Sequence, residues 1–188
     1  MILYIHGFNS SPASHKSNQL REYLRRTRPG TVFSCPALSH WPAQAIRTLE
    51  SEVRRAGTEG VTLVGSSLGG FYATWLVERF DCRAVLVNPA ITPQEGLRAY
   101  LGPQRNLYTQ EQYTLTEEHL QQLAALYVPG LRRVDRYLLL QTTGDEVLDW
   151  RKAVARYEGC RQIVIHGSDH GFKEFEQYLE IVALFARV

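Results

Sequence analysis

Short apolar runs alternate with amphipathic stretches along almost the whole chain, and this rhythm restricts the possible folds more than any other feature. The runs are Ile2 to Ile5, Thr31 to Ser34, Val61 to Val64, Ala84 to Val87, Tyr137 to Leu140 and Gln162 to Ile165. Each is about four residues long and apolar without strict alternation, as expected of strands buried on both faces. The stretches between them have helical spacing. Leu20, Tyr23 and Leu24 share one face, as do Ile46, Leu49 and Val53, and Phe71 to Phe80 reads as a helix. Near the end, Phe172, Phe175, Leu179 and Val182 fall at i, i+3, i+7 and i+10, which predicts a final helix. Strands alternating with helices imply an α/β fold, with a mostly parallel sheet of about six strands and helices on both faces. In such sheets ligands bind beyond the carboxyl ends of the strands.

One connection breaks the rhythm. About fifty residues separate Val87 from Tyr137, too many for a simple crossover or a structureless loop. Within it, Leu115-Thr116-Glu117-Glu118 followed by Leu120, Leu123 and Tyr127 reads as a capped helix ended by Pro129-Gly130. Tyr100, Leu101, Leu107, Tyr108 and Tyr113 add apolar surface before it. Residues 91–130 are therefore expected to form a small, partly helical cap over the strand ends. An extra helix packed on the sheet edge would satisfy the same pattern. No linker rich in Pro, Gly or Ser divides the 188 residues, and 44% apolar content suffices for a single domain spanning 1–188.

Charge and cysteine usage narrow the functional classes. A net charge of +2 with scattered Lys and Arg argues against a nucleic-acid partner, since backbone binding needs several cations along one track. No segment approaches the ~20 apolar residues that span a bilayer. The opening run Ile2 to Ile5 is too short for a signal peptide and lacks a preceding basic stretch. Cys35, Cys82 and Cys160 are odd in number and widely spaced, so they read as thiols in a reducing compartment. These features point to the cytoplasm; no motif specifies an oligomeric state.

The chemistry-bearing residues fall where strands end. Gly65-Ser66-Ser67-Leu68-Gly69-Gly70 joins the run Val61 to Val64 to the helix Phe71 to Phe80. A serine on a sharp strand-to-helix turn is held in strained geometry, and glycines two before and two after it let neighbouring chain approach closely. Ser67 is thus the candidate nucleophile, with the amide of Leu68 aimed at a developing oxyanion at the helix N-terminus. Ser66 lies one residue off this register and is expected to point away.

A serine nucleophile needs a base, and the base an orienting acid. His170, in His166-Gly167-Ser168-Asp169-His170-Gly171, follows the last strand and can reach Ser67. His166 sits closer to the strand end, with less reach, while His15, His40 and His119 read as surface residues. Asp145, in Thr142-Thr143-Gly144-Asp145-Glu146, follows the preceding strand and is the candidate acid. The adjacent Glu146 is expected to face the other way, Asp149 to cap a helix, and Asp169 to lie too near His170 in sequence for useful geometry.

The second oxyanion donor is expected in the loop after the first strand, His6-Gly7-Phe8-Asn9-Ser10-Ser11-Pro12. The amide of Phe8 is the candidate, with Gly7 allowing a close turn and His6 bracing the loop. Gly7, Asn9 and Ser10 are candidate substrate-binding residues. His166-x-x-Asp169-His170 resembles part of a metal cluster, but no second cluster with ligand spacing accompanies it. No metal and no cofactor is expected.

Together these segments resemble the YqiA-type esterases of bacteria, compact members of the α/β-hydrolase superfamily. The similar stretches are residues 6–12, VGSSLGGFYATWL from Val64, Val87-Asn88-Pro89-Ala90, QTTGDEVLD from Gln141, and the His170 loop. The resemblance implies Ser67, Asp145 and His170 as a triad hydrolysing small-molecule carboxylic esters or acyl thioesters. A binding or regulatory module on the same fold, or an acyltransferase using the same triad, are the competing readings.

Overall fold

Eight strands and seven α-helices account for most of the structure, a computed structural model that describes residues 1–57 and 60–188. The strands are β1 (Ile2–Ile5), β2 (Phe33–Ser34), β3 (Thr62–Ser66), β4 (Arg83–Val87), β5 (Gly102–Arg105), β6 (Gln112–Leu115), β7 (Tyr137–Thr142) and β8 (Arg161–Ile165). The helices are α1 (His15–Thr27), α2 (Pro42–Ala56), α3 (Leu68–Arg79), α4 (Pro93–Gly96), α5 (Glu117–Ala125), α6 (Trp150–Arg156) and α7 (Leu179–Ala186). Six strands form one parallel sheet in the order β2-β1-β3-β4-β7-β8, while β5 and β6 make a separate antiparallel hairpin. The pattern of runs implies this mostly parallel sheet, and the strand order is that of the α/β-hydrolase fold which the resemblance implies.

The four inner strands β1, β3, β4 and β7 bury both faces, which explains their continuous apolar character, while β2 and β8 are half-exposed at the sheet edges. Ile2 and Tyr4 pack with Val64, Val85, Val87, Leu138 and Leu140 against α1 and α7. Leu3 and Ile5 pack with Leu63, Ala84, Leu86 and Leu139 against α2, α3, α5 and α6. A strand's period of two thus feeds two cores at once, each fully buried aliphatic side chain contributing about 1.5–3 kcal/mol. Ten residues of α3 are buried, because α3 lies between the sheet and other helices. Such a helix carries no polar face.

Three local differences from the sequence reading have physical causes. The run Thr31 to Ser34 contributes only Phe33 and Ser34 to the sheet, as an edge strand between Gly30 and Pro36. The final helix begins later than its periodicity suggests. Phe172 has φ 56° and precedes the helical segment, and residues Phe175–Tyr178 form a 3₁₀ turn before α7. Its apolar face is nonetheless in place, since Phe172, Phe175, Leu179 and Val182 are all buried. Third, the β4–β7 connection contains the β5–β6 hairpin as well as helices. The hairpin strands are mainly polar and half-exposed, so no apolar alternation announced them. Asn106 shapes its turn, its Oδ1 accepting from the amides of Tyr108 and Thr109.

Candidate active site

Ser67 has φ 54° and ψ −119°, a region that only a supported turn can hold. The support comes from elsewhere in the chain. Its amide donates to the Val87 carbonyl at 3.0 Å, and its carbonyl accepts from the amides of Gly70 and Ala90. Gly65 and Gly69 let the strand and helix meet at the turn. A Cβ on Gly69 would lie 2.0 Å from the Ile5 carbonyl oxygen, and one on Gly65 would lie 2.4 Å from that of Gly69. No larger residue fits at either position.

The structure brings Ser67, Asp145 and His170 together. Ser67 Oγ lies 3.1 Å from His170 Nε2, and His170 Nδ1 lies 2.8 Å from Asp145 Oδ2. In the tautomer suited to catalysis, Nδ1–H donates to the carboxylate and Nε2 accepts the serine proton. The Asp145 side chain is fully buried, and its Oδ1 accepts from the amides of Val147 and Leu148 at 3.0 and 2.8 Å. Ser66 is buried at the end of β3 and forms part of the cleft wall instead of turning from it. His170 meets Ser67, not Ser66.

Glu146 does not face away. Its Oε2 accepts from the His170 amide at 3.0 Å, because the tight turn after Gly144 presents consecutive acids to the same loop. Asp149 caps α6, accepting from the Arg151 amide at 3.1 Å, and Asp169 pairs with Lys173 at 2.8 Å.

Two residues that the sequence reading gave no role hold the His170 loop. Asn88 follows β4 with φ 43° and is 1% exposed. Its Nδ2 donates to the carbonyls of Asp169 and His170 at 3.2 and 3.1 Å, and its Oδ1 accepts from the Thr142 amide at 2.9 Å. Thr142, at the end of β7, donates its hydroxyl to the Asp169 carbonyl at 3.0 Å. A polar Asn-Pro directly after an apolar strand was the available signal.

The loop after β1 lies against Ser67. A Cβ on Gly7 would come within 3.2 Å of Ser67 Cβ. The amides of Phe8 and Leu68 make no hydrogen bond within the described residues, and both residues border one small polar pocket. Asn9 is occupied otherwise: Nδ2 donates to Gln104 Oε1 at 3.0 Å, and Oδ1 accepts from the Tyr113 hydroxyl at 2.7 Å. It therefore ties the loop to the β5–β6 hairpin. Ser10 lines the larger cleft, a cavity of about 520 Å³ that opens onto Ser67 and His170 and is partly walled by Leu107 and Tyr108.

The remaining histidines divide. His15 and His166 are exposed. His6 is buried, its Nδ1 3.1 Å from the Gly7 carbonyl, and burial holds its pKa below the ordinary value. His119 is not a surface residue: it is fully buried at the start of α5 and stacks on Trp41. Its Nδ1 accepts from the Thr116 amide at 3.1 Å, so Nε2–H donates to His40 Nδ1 at 3.0 Å. Burial, then the neighbouring His40, holds its pKa low. The signal was Thr116-x-x-His119, in which histidine takes the third helical position of a capping box. Among the described residues, no group of three or more His, Cys, Asp or Glu side chains is placed to hold a metal ion, and no helix is long and apolar enough to cross a membrane.

The model of the family described as "Uncharacterised protein family (UPF0227)" matches residues 1–187. A UPF0227 protein of Yersinia pseudotuberculosis serotype O:3 (strain YPIII) is 24% identical over 189 residues, covering 98% of each chain. Among solved structures, one described under "LipS and LipT, two metagenome-derived lipolytic enzymes" gives a TM-score of 0.71 at 19% identity, covering 99% of this chain and 92% of that one. Est1E from Butyrivibrio proteoclasticus gives 0.69 at 16% identity, covering 99% and 84%. The esterase domain of a Rhodothermus marinus protein gives 0.71 at 16% identity, covering 99% and 85%. At these identities the structural likeness establishes the shared fold.

Proposed function

The chain belongs to the UPF0227 family, and on that footing we propose that it is a serine hydrolase cleaving small-molecule carboxylic esters or acyl thioesters. One observation carries this reading: His170 bridges the Ser67 hydroxyl at 3.1 Å and the buried Asp145 carboxylate at 2.8 Å. A hydroxyl becomes a nucleophile when a base receives its proton, and the base must be oriented and its charge balanced. Ser67 Oγ attacks the carbonyl carbon while its proton passes to His170 Nε2. The amides of Phe8 and Leu68 hold the resulting oxyanion, aided by the N-terminus of α3. His170 then gives its proton to the leaving oxygen or sulfur, and a covalent acyl-Ser67 remains. Water attacks that acyl group with His170 again as base, which frees the acid and restores the serine.

The esterases and lipolytic enzymes that share the fold support the ester class. The β4–β7 connection, with Leu107 and Tyr108 beside the cleft, serves as a small cap. Cys35, Cys82 and Cys160 stand as separate thiols, which supports a cytoplasmic setting. Labelling with a fluorophosphonate probe tests the reading. Modification at Ser67, abolished in Ser67→Ala, is expected; an unlabelled protein overturns it.

A further inference from the structure

The start of α1 lines the cleft in front of Ser67 together with Asp169, His170 and Lys173. Its chemistry runs against what a helix start ordinarily carries. Helix N-termini bear partial positive charge and favour acids in the first turn, yet the first turn of α1 has none and instead holds Lys16. Ser14, at the capping position, makes no side-chain cap. It is 8% exposed, lines the cleft, and its Oγ is buried without a hydrogen-bond partner.

Lys16 is half-buried. Its Nζ donates to the Gly171 carbonyl at 2.7 Å, and no carboxylate of the described residues forms an ion pair with it. Burial lowers its pKa, with Asp169 and then Asp145 opposing that shift at longer range. Asp169 is itself paired, to Lys173. A buried hydroxyl without a partner and a half-buried ammonium without a counter-ion both cost free energy. One anion placed at this helix start would satisfy the hydroxyl, the ammonium and the open first-turn amides together.

We propose that Ser14, Lys16 and the N-terminus of α1 form a subsite for an anionic oxygen group carried on the leaving-group side of the substrate. The side follows from the chemistry, so this inference rests on the triad reading above. His170 Nε2 must reach the leaving oxygen or sulfur to protonate it, which puts the leaving group beside the His170 loop. Lys16 is bonded to that loop at Gly171, the residue after His170. The substrate class is then an ester or thioester whose alcohol or thiol bears a carboxylate or phosphate.

The test compares two acetates with the same phenol: O-acetyl-N-acetyltyrosine, whose carboxylate is insulated from the ester, and its neutral amide. The readout is the ratio of their kcat/KM values. The unsubstituted protein should favour the anionic ester by about tenfold or more, a preference that falls with salt. Lys16→Gln should remove most of that ratio, Lys16→Arg should keep it, and Ser14→Ala should reduce it. A ratio near unity, or equal loss on both esters in Lys16→Gln, overturns the subsite. A second pair, p-nitrophenyl hemiglutarate and p-nitrophenyl valerate, carries the charge on the acyl side. Lys16 dependence in that pair alone overturns the leaving-group placement. The triad reading is scored separately, by loss of neutral-ester turnover in Ser67→Ala.

Discussion

Asn88 and Thr142 clamp the ends of two adjacent strands and, through them, the carbonyls of Asp169 and His170. The Asn88 Oδ1 takes the Thr142 amide, while its Nδ2 and the Thr142 hydroxyl reach across to the loop. The His170 loop is therefore held from behind by side chains other than those of Ser67 and Asp145. Asn88→Asp is nearly isosteric but turns a donor into a second acceptor facing two carbonyls. It is expected to lower kcat by about 10²-fold with little change in KM, and stability by about 2 kcal/mol. Steady-state kinetics and urea melts read both, and a wild-type kcat rules out the positioning role.

Ser67 couples strain to chemistry. With φ 54° and ψ −119°, a side chain at this position costs about 1–3 kcal/mol of backbone strain. Ser67→Ala and Ser67→Gly should both lose turnover by on the order of 10⁴ to 10⁶. The glycine variant alone should melt higher, by about 1 kcal/mol, since glycine tolerates this geometry. Equal melting of the two variants would refute the strain.

Stability should fall in mild acid. His119 and His6 are buried with pKa values held below the ordinary 6.5. Below that value the unfolded chain binds protons that the folded chain refuses, so stability declines as pH drops and recovers as pH rises through the window. Protonating His119 also puts a hydrogen on Nδ1, where the Thr116 amide donates at 3.1 Å. Urea melts on either side of this value should show the slope, and His119→Gln should flatten it. An unchanged slope in that variant removes His119 as a cause.

The Tyr113 hydroxyl anchors the hairpin to the loop after β1 through Asn9. Tyr113→Phe deletes that bond and leaves one Asn9 acceptor unfilled, at a cost of about 1 kcal/mol. The hairpin should then be cut faster by protease at Asn106 to Glu111. Ester KM should change more than kcat, because the triad is untouched. Unaltered proteolysis would show that the remaining contacts, such as the bond from the Leu107 amide to the Asn9 carbonyl, suffice.

What was legible in the sequence follows from period and spacing. The strands β1, β3, β4 and β7 read clearly because residues buried on both faces leave uninterrupted apolar runs, and the half-exposed edge strand β8 read from Ile163, Val164 and Ile165. Ser67, Asp145 and His170 read clearly because each follows its own strand. The hairpin was hidden, since Gln104, Arg105 and Gln112 pair through backbone and carry no apolar signature. Asn88, Glu146 and His119 were hidden for another reason. Their partners lie 54, 24 and 79 residues away along the chain, and such pairings appear only once the sheet brings the loops side by side.

The bonds that steady Ser67 also set an order of events. Its amide waits on Val87 and its carbonyl on Ala90, while Gly69 must settle against Ile5, far upstream. As a ribosome releases the chain from its N-terminus, residue 67 emerges with none of its downstream supports. A growing chain that stops short of residue 90 carries the serine without the Ala90 support, and one that stops short of residue 170 lacks the imidazole beside it. The Ser67 hydroxyl meets its imidazole partner only after residue 170 has been made.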